Sequence, residues 1–246
     1  MVRKNITLYI TLIFCLVFIF LFPGKARAGL SEEKGFIYCH GDESVNKIAI
    51  TFDDGPNPPY TEEILQILDE NGIKATFFLL GRHVAAHPEL AKKILEKGHA
   101  VGNHTYDHPD FRVVLEWDRV EKEIKKCEKT FADILGYKTN MFRPPFSCSS
   151  KNVAKRAAEL GYISIGWSVR PRDGSSTRLK AETIVKRVIS KTQNGSIILL
   201  HDGDFFKDGQ NRSELVKAAR IIIADLKQKG FQFVTVPELL GLNAKR

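Results

Sequence analysis

The sequence predicts an α/β fold: a parallel sheet rolled into a barrel-like shape of about seven strands. Short β-rich runs alternate with amphipathic helical runs from about Lys47 onward, which requires parallel pairing and right-handed crossovers. No glycine-rich phosphate loop follows the first strand, which argues against an open nucleotide-binding sheet. The chemically unusual residues Asp53-Asp54, His104, Arg143 and His201 each fall at the carboxyl end of a different strand. On a barrel those ends converge on one face, where catalytic groups gather.

The strands are read at Ile48–Phe52, Ala75–Leu80, Ala100–His104, Met141–Phe146, Ile163–Val169, Ser196–His201 and Phe231–Val236. Helices are read between them at Thr61–Asn71, Pro88–Lys97, Glu116–Leu135, Asn152–Leu160, Ala181–Gln193 and Ser213–Lys229. Glycine follows five of the six helices, where a left-handed cap favours it. The first helix has proline near its start and Glu62-Glu63 in its first turn.

The first 28 residues stand apart. Arg3 and Lys4 precede the apolar run Ile6 to Phe22, then Pro23-Gly24 and an A-x-A pattern at Ala26–Ala28. This reads as a secretory leader cleaved after Ala28, with a retained membrane anchor as the alternative. Either way the remainder lies outside the cytoplasm. Bulky Phe14 before Cys15 argues against a lipoprotein. Residues 29–46 read as a charged lead-in and 47–242 as one catalytic domain, with no internal repeat or linker.

The chain carries 37 Lys and Arg against 29 Asp and Glu. Four of the basic residues, Arg3, Lys4, Lys25 and Arg27, belong to the leader, which leaves a charge of +4. That mild excess suits an anionic cell-wall surface and is too weak and scattered for nucleic acid. No protein partner is evident, and a membrane is a partner only if the leader is retained. Cys39, Cys127 and Cys148 are odd in number and read as small, partly buried residues.

Four segments carry chemistry. Thr51–Pro56 ends the first strand in two adjacent carboxylates that a turn at Gly55-Pro56 can bring to one cavity. His104 and His108 are four residues apart, and on a helical turn both rings reach one cation. Thr105 stands where a zinc peptidase carries its glutamate base, so Asp53 or Asp54 must supply the base. Arg143, followed by Pro144-Pro145, orients a carboxylate better than it gives up a proton. His201 ends an apolar strand and titrates near neutrality, as a proton donor to a leaving amine requires. His40, His83, His87 and His99 have no such company and read as structural or surface residues.

Together these segments resemble the polysaccharide deacetylase family, also called carbohydrate esterase family 4 or the NodB-homology domain. The resemblance runs from about Lys47 to Leu240. It rests on T-F-D-D at Thr51–Asp54, H-[ST]-x-x-H at His104–His108, R-x-P-[FY] at Arg143–Phe146 and L-x-H at Leu199–His201. It implies a distorted, incomplete (β/α) barrel. It also implies that Asp54, His104 and His108 hold a divalent metal, zinc first, with cobalt, manganese and iron admitted by the same ligands. Asp53 is then the base, Arg143 its orienter, the Phe146 backbone N–H an oxyanion donor, His201 the acid and Leu199 a wall for the acetyl methyl. Asp173 matches the aspartate that tunes the acid. The substrate implied is a polysaccharide of N-acetylated aminosugars, peptidoglycan or a chitin-like oligomer.

Three positions depart from the family pattern. Arg170 replaces an aspartate, Gly174 stands in place of a tryptophan, and Ser147 replaces a glycine. Trp167 is the candidate for the missing wall. The rival readings are an acetylxylan-type O-acetyl esterase, a non-catalytic wall-binding protein and a metallopeptidase.

Overall fold

The computed structural model describes residues 35–111, 117–146, 151–174 and 179–242. The leader, Cys148 and Ser147 lie outside the described residues. No helix among those described is long and apolar enough to cross a membrane.

The strands are β1 (Ile37–Tyr38), β2 (Lys47–Asp53), β3 (Thr76–Leu79), β4 (Ala100–Asn103), β5 (Met141–Phe142), β6 (Ile163–Ile165), β7 (Ile197–His201) and β8 (Gln232–Phe233). The helices are α1 (Tyr60–Glu70), α2 (Gly81–Ala86), α3 (Pro88–Glu96), α4 (Trp117–Leu135), α5 (Lys151–Glu159), α6 (Ala181–Ile189), α7 (Ser213–Gln228) and α8 (Val236–Leu240). All strand pairs are parallel, in the order β1-β6-β5-β4-β3-β2-β7, with β8 added to the start of β2.

The sheet curls until its edges meet. Val169, beyond the end of β6, bridges Ile198 of β7, and Leu199 N–H donates to Val169 O at 2.9 Å. This bridge and an antiparallel one between His40, after β1, and Ser196, before β7, close the ring where a regular barrel has a full ladder. The fold is therefore a distorted, incomplete (β/α) barrel, as expected.

Alternation along β2 explains how the barrel is filled. Ile48, Ile50 and Phe52 pack outward among the helices with Ile64, Leu65 and Leu68 of α1 and Ile222 and Ile223 of α7. Ala49 packs with Phe78, Met141, Ile165 and Ile197 in a separate, interior cluster. Side chains two apart share a face, so Thr51 and Asp53 continue the Ala49 line toward the carboxyl end. Buried on both faces, β2 reads as a continuous apolar run that ends in a carboxylate.

Several elements differ from the sequence reading. β1 lies within the lead-in and pairs with β6. The short α2 follows β3 closely; it has no side-chain cap, and with six residues it falls short of two helical turns, too few to show a periodic pattern. The strand read over Phe231–Val236 stops at Phe233, because Thr235 and Glu238 form a capping box that starts α8. Val236 and Leu239 of α8 pack on the Ala49 cluster and close the amino end of the barrel. The strand read as Met141–Phe146 also ends early, at Phe142, since neither Pro144 nor Pro145 can donate to a ladder.

Functional residues gather where the ends of β2 and β7 press together. Gly203 N–H donates to Asp53 O at 3.2 Å, and a Cβ on Gly203 would lie 1.9 Å from Asp54 O. No side chain fits there. Gly203→Ala is expected to lower stability by about 1–3 kcal/mol, the usual cost of overpacking, and to displace Asp54. Thermal unfolding and metal content together check this; an unchanged melting temperature would contradict the contact.

Candidate active site

Every expected site residue lies at or behind one cavity of about 660 Å³ at the carboxyl ends of the strands. Asp53, Asp54, His104, His108, Phe146, Trp167, Leu199 and His201 line it. Arg143 and Asp173 stand behind two of those residues and hold them in place.

Asp54 adopts φ 70, and this left-handed turn of the backbone swings its carboxylate toward the same cavity as Asp53. His104 follows β4 directly. Its Nδ1 donates to Arg143 O at 2.7 Å, which fixes the tautomer and leaves the Nε2 lone pair free. His104 Nε2 and His108 Nε2 lie 3.4 and 3.5 Å from the same oxygen, Asp54 Oδ1.

The helical turn expected to bring the two histidines together is not there. Residues 104–108 form a loop in which Thr105 has φ 74 and His108 φ 58. Asn103 Oδ1 accepts from Thr105 N–H at 2.8 Å, and Thr105 Oγ1 accepts from His108 N–H at 3.0 Å. This relay of small polar caps replaces helical hydrogen bonds, and the ring centroids still come within 5.0 Å.

This donor set fits a divalent cation. One ligand atom from each of Asp54, His104 and His108 lies within 4.8 Å of the others. Both Asp54 carboxylate oxygens are buried and lack a hydrogen-bond partner, a costly state for an ionised group with no cation beside it. Burial disfavours the Asp54 anion, yet His108, His104 and His201 together hold its carboxyl well below the ordinary carboxylate range. Burial pushes the His108 pKa down to about 3 against the pull of Asp54, so its ring is neutral and ready to ligate.

Asp53 is held differently. Arg143 is fully buried, and its Nη1 donates to Asp53 Oδ1 at 2.6 Å and to Thr51 Oγ1 at 2.7 Å. Its Nε and Nη2 donate to Ile165 O at 3.3 Å and Gly166 O at 2.9 Å, and the guanidinium lies 3.9 Å from the Phe78 ring centroid. With one oxygen pinned, Asp53 Oδ2 remains 3.7 Å from His104 Nε2.

His201 ends β7, with Nδ1 3.0 Å from Asp173 Oδ1, and its own N–H donates to Asp173 Oδ2 at 3.0 Å. Burial alone would lower its pKa. Asp173, by charge and hydrogen bond, and the charges of Asp54 and Asp53 outweigh that and raise it to about 9. At neutral pH the ring is protonated, with its other nitrogen available to the cavity.

Several contributors escaped the sequence reading. His83 is structural rather than surface: it is buried, with Nδ1 2.7 Å from Asp54 O, a contact to the site that its sequence position does not show. It fixes the backbone that carries the central ligand. Asp202 is buried beneath Gly55, accepts from the Thr61 hydroxyl, and is pushed by burial and by the charges of Asp54 and Asp53 up to about 7. Phe205 stacks on His108 with centroids 4.1 Å apart, and Phe206, 76% exposed, lies tilted against Phe205 at the rim. Nothing in the local sequence points His83 at Asp54, since only packing of α2 beneath the β2 turn makes that contact.

With this geometry established, comparison with known proteins is decisive. The family model for polysaccharide deacetylase matches residues 40–165. The chain belongs to the polysaccharide deacetylase family. It is 37% identical over 211 residues to a peptidoglycan-N-acetylglucosamine deacetylase of Bacillus cereus, covering 85% of this chain and 95% of that one. It is 34% identical over 220 residues to a chitooligosaccharide deacetylase of Rhizobium leguminosarum bv. trifolii, covering 87% and 100%. Among solved structures, the Bc1960 peptidoglycan N-acetylglucosamine deacetylase superposes with a TM-score of 0.77 at 35% identity, covering 85% of this chain and 95% of that one.

The support beneath Asp54 yields a test. Loss of a partner that orients a ligand typically weakens metal binding about 10–100-fold. His83→Phe is expected to weaken metal binding by that order while leaving the fold intact, as read by titration with a chelator and by circular dichroism. His104→Ala is expected to lose stoichiometric metal outright. Full metal content in His104→Ala would remove that histidine from the ligand set.

Proposed function

We propose that this chain hydrolyses the acetamide of N-acetylglucosamine-type residues in an exported polysaccharide, releasing acetate and leaving a free amine. One observation carries this reading: a cation-ready Asp-His-His set, an arginine-anchored carboxylate and a protonated histidine share one cavity. The named activities of the relatives support it. Zinc suits the ligands best, and cobalt, manganese and iron remain compatible. The leader read at residues 1–28 supports work outside the cytoplasm.

Asp54, His104 and His108 would hold a divalent cation, whose charge would polarise the acetamide carbonyl and acidify the attacking water. Asp53 accepts the proton of that water, and Arg143 keeps the carboxylate aimed. Phe146 lines the same cavity, and its backbone N–H is the group the family resemblance assigns to the oxygen that gains charge as the carbonyl carbon becomes tetrahedral. His201, protonated through Asp173, passes its proton to the nitrogen as the C–N bond breaks, so the amine leaves neutral. Leu199 and Trp167 line the space for the acetyl methyl.

Asp53→Asn is expected to cut turnover by about 10²–10⁴-fold, the usual worth of a positioned base, while metal content stays stoichiometric. A normal rate in that variant would take Asp53 out of the mechanism.

The pH profile reports on His201. Its raised pKa means that the protonated form is present at neutrality and lost as pH rises through about 9. Activity should therefore fall on the alkaline side. A cation on Asp54 cancels that residue's share of the shift, so the limb lies somewhat below 9 in the loaded enzyme. Asp173→Asn should move the limb down toward the ordinary histidine value of about 6.5. A limb that stays in place would mean another group donates the proton.

Acetate release from N-acetylglucosamine oligomers and peptidoglycan, compared with acetylated xylan, tests the reaction itself. Release from the first two supports the amide reading; release from xylan alone would make the chain an O-acetyl esterase.

A further inference from the structure

Phe206 lines the cavity of the site, and the reaction gives it no role. It is the most exposed of the large apolar side chains among the described residues, at 76%. A lone apolar side chain on a surface needs no explanation. This one is set apart by its place, by the ring behind it and by how firmly its backbone is held.

The ring behind it belongs to a stack that starts at a candidate metal ligand. Phe205 lies on His108 with 16° between the ring planes, and Phe206 lies tilted against Phe205 with centroids 4.1 Å apart. Phe146 meets both His108 and Phe205 edge-on. The segment that carries Phe205 and Phe206, between β7 and α7, has no regular structure but is fastened along its length. Buried Asp204 accepts from Phe206 N–H at 2.7 Å and from Arg212 Nη2 at 3.2 Å. Arg82 of α2 donates to Phe205 O, and Asn57 Nδ2 donates to Gln210 O at 3.0 Å. A ring held this way is ordered before its ligand arrives, which removes part of the cost of binding.

A fixed aromatic ring at the rim of a polar cavity suits a particular ligand chemistry. A pyranose with equatorial substituents has faces of axial C–H bonds, apolar at the centre and ringed by hydroxyls. Those C–H bonds meet the negative face of an aromatic ring favourably while the hydroxyls stay in water. The structure assigns Phe206 as a stacking platform for such a face, on the sugar next to the one that loses its acetyl. The assignment rests on the deacetylase reading and deepens it: the substrate is gripped as a chain rather than as a single sugar. The reacting acetamide must reach Asp54, His104 and His108. Phe206 lies two ring layers out from His108, where the neighbouring sugar of a chain passes.

Titration of the Asp53→Asn chain with N-acetylglucosamine tetramer, zinc added, reads binding without turnover. Adding Phe206→Ala should weaken that binding about ten-fold. Phe206→Tyr should retain it, and Phe206→Leu, which keeps apolar bulk without a π face, should fall between. With Asp53 in place, Phe206→Ala should lower kcat/KM on the tetramer by a similar factor. The loss should appear mainly in KM, the mark of a contact equally strong before and during the reaction. It should be smaller on N-acetylglucosamine alone, which has no neighbouring sugar.

Tetramer affinity indifferent to Phe206→Ala overturns the platform, whether or not the substitution alters self-association in sedimentation. Phe206→Leu binding as tightly as the parent would reduce the contact to plain bulk and overturn stacking. A loss as large on N-acetylglucosamine alone would put the ring against the reacting sugar and overturn the neighbouring subsite. Phe206-dependent binding of the tetramer, with no acetate released by wild type from any polymer, would leave the platform standing and overturn the deacetylase reading. Acetate release with tetramer affinity indifferent to Phe206 would do the reverse.

Discussion

The site depends on one buried ion pair. Arg143 is fully enclosed and could not remain so without partners, since an unpaired charge in a protein interior costs several kcal/mol, typically about 3–5 when a buried partner is removed. Its partners come from different parts of the barrel: Thr51 and Asp53 on β2, and the carbonyls of Ile165 and Gly166 where β6 ends. Its own carbonyl accepts from His104, and its N–H donates to Asn103 O. One residue thus sets the base, fixes the tautomer of a ligand and ties three strand ends together. The Thr51 hydroxyl extends the tie by donating to Ile198 O on β7.

Around this hub, the backbone is held in costly conformations where the chemistry is. The non-glycine residues with positive φ among those described are Asp54, Thr105, His108, Phe146 and Arg172. Four of them line the cavity, and Thr105 caps the loop between the two histidines. Each such residue costs of order 1–3 kcal/mol and persists only because its surroundings over-determine it. The surroundings here are the His83 contact to Asp54 O, the Asn103 and Thr105 relay and the Phe146–His108–Phe205 cluster. The strain is placed where a ligand set must converge on one point, which regular strands and helices do not provide.

Electrostatics divides the cavity into two regions. On one side, burial keeps the His108 ring neutral beside the Asp54 carboxylate, which is held well below the ordinary carboxylate range, the pairing a cation needs. On the other, Asp173 keeps His201 charged despite its burial. Similar rings are driven in opposite directions because only His201 has a carboxylate bonded to its Nδ1. Burial alone would have left both neutral.

Much of this was legible in the sequence. The alternation of strands and helices and the clustering of Asp53, Asp54, His104, Arg143 and His201 at strand ends needed only local order and spacing, and the family resemblance added Asp173 as the acid's partner. Even α8 had a readable signal, Thr235 and Glu238 three residues apart, overshadowed by the apolar run before it. What only the tertiary structure decided lies in contacts between residues distant along the chain: His83 beneath Asp54, Phe205 on His108, the bridges at His40 and Val169 that close the ring, and the loop that brings His104 and His108 together without a helix. Periodicity and residue type describe what each segment can bury and which groups it can offer. They carry no information on which distant backbone atom a buried side chain will meet, because that is set by how the strands stagger and curl when they pack.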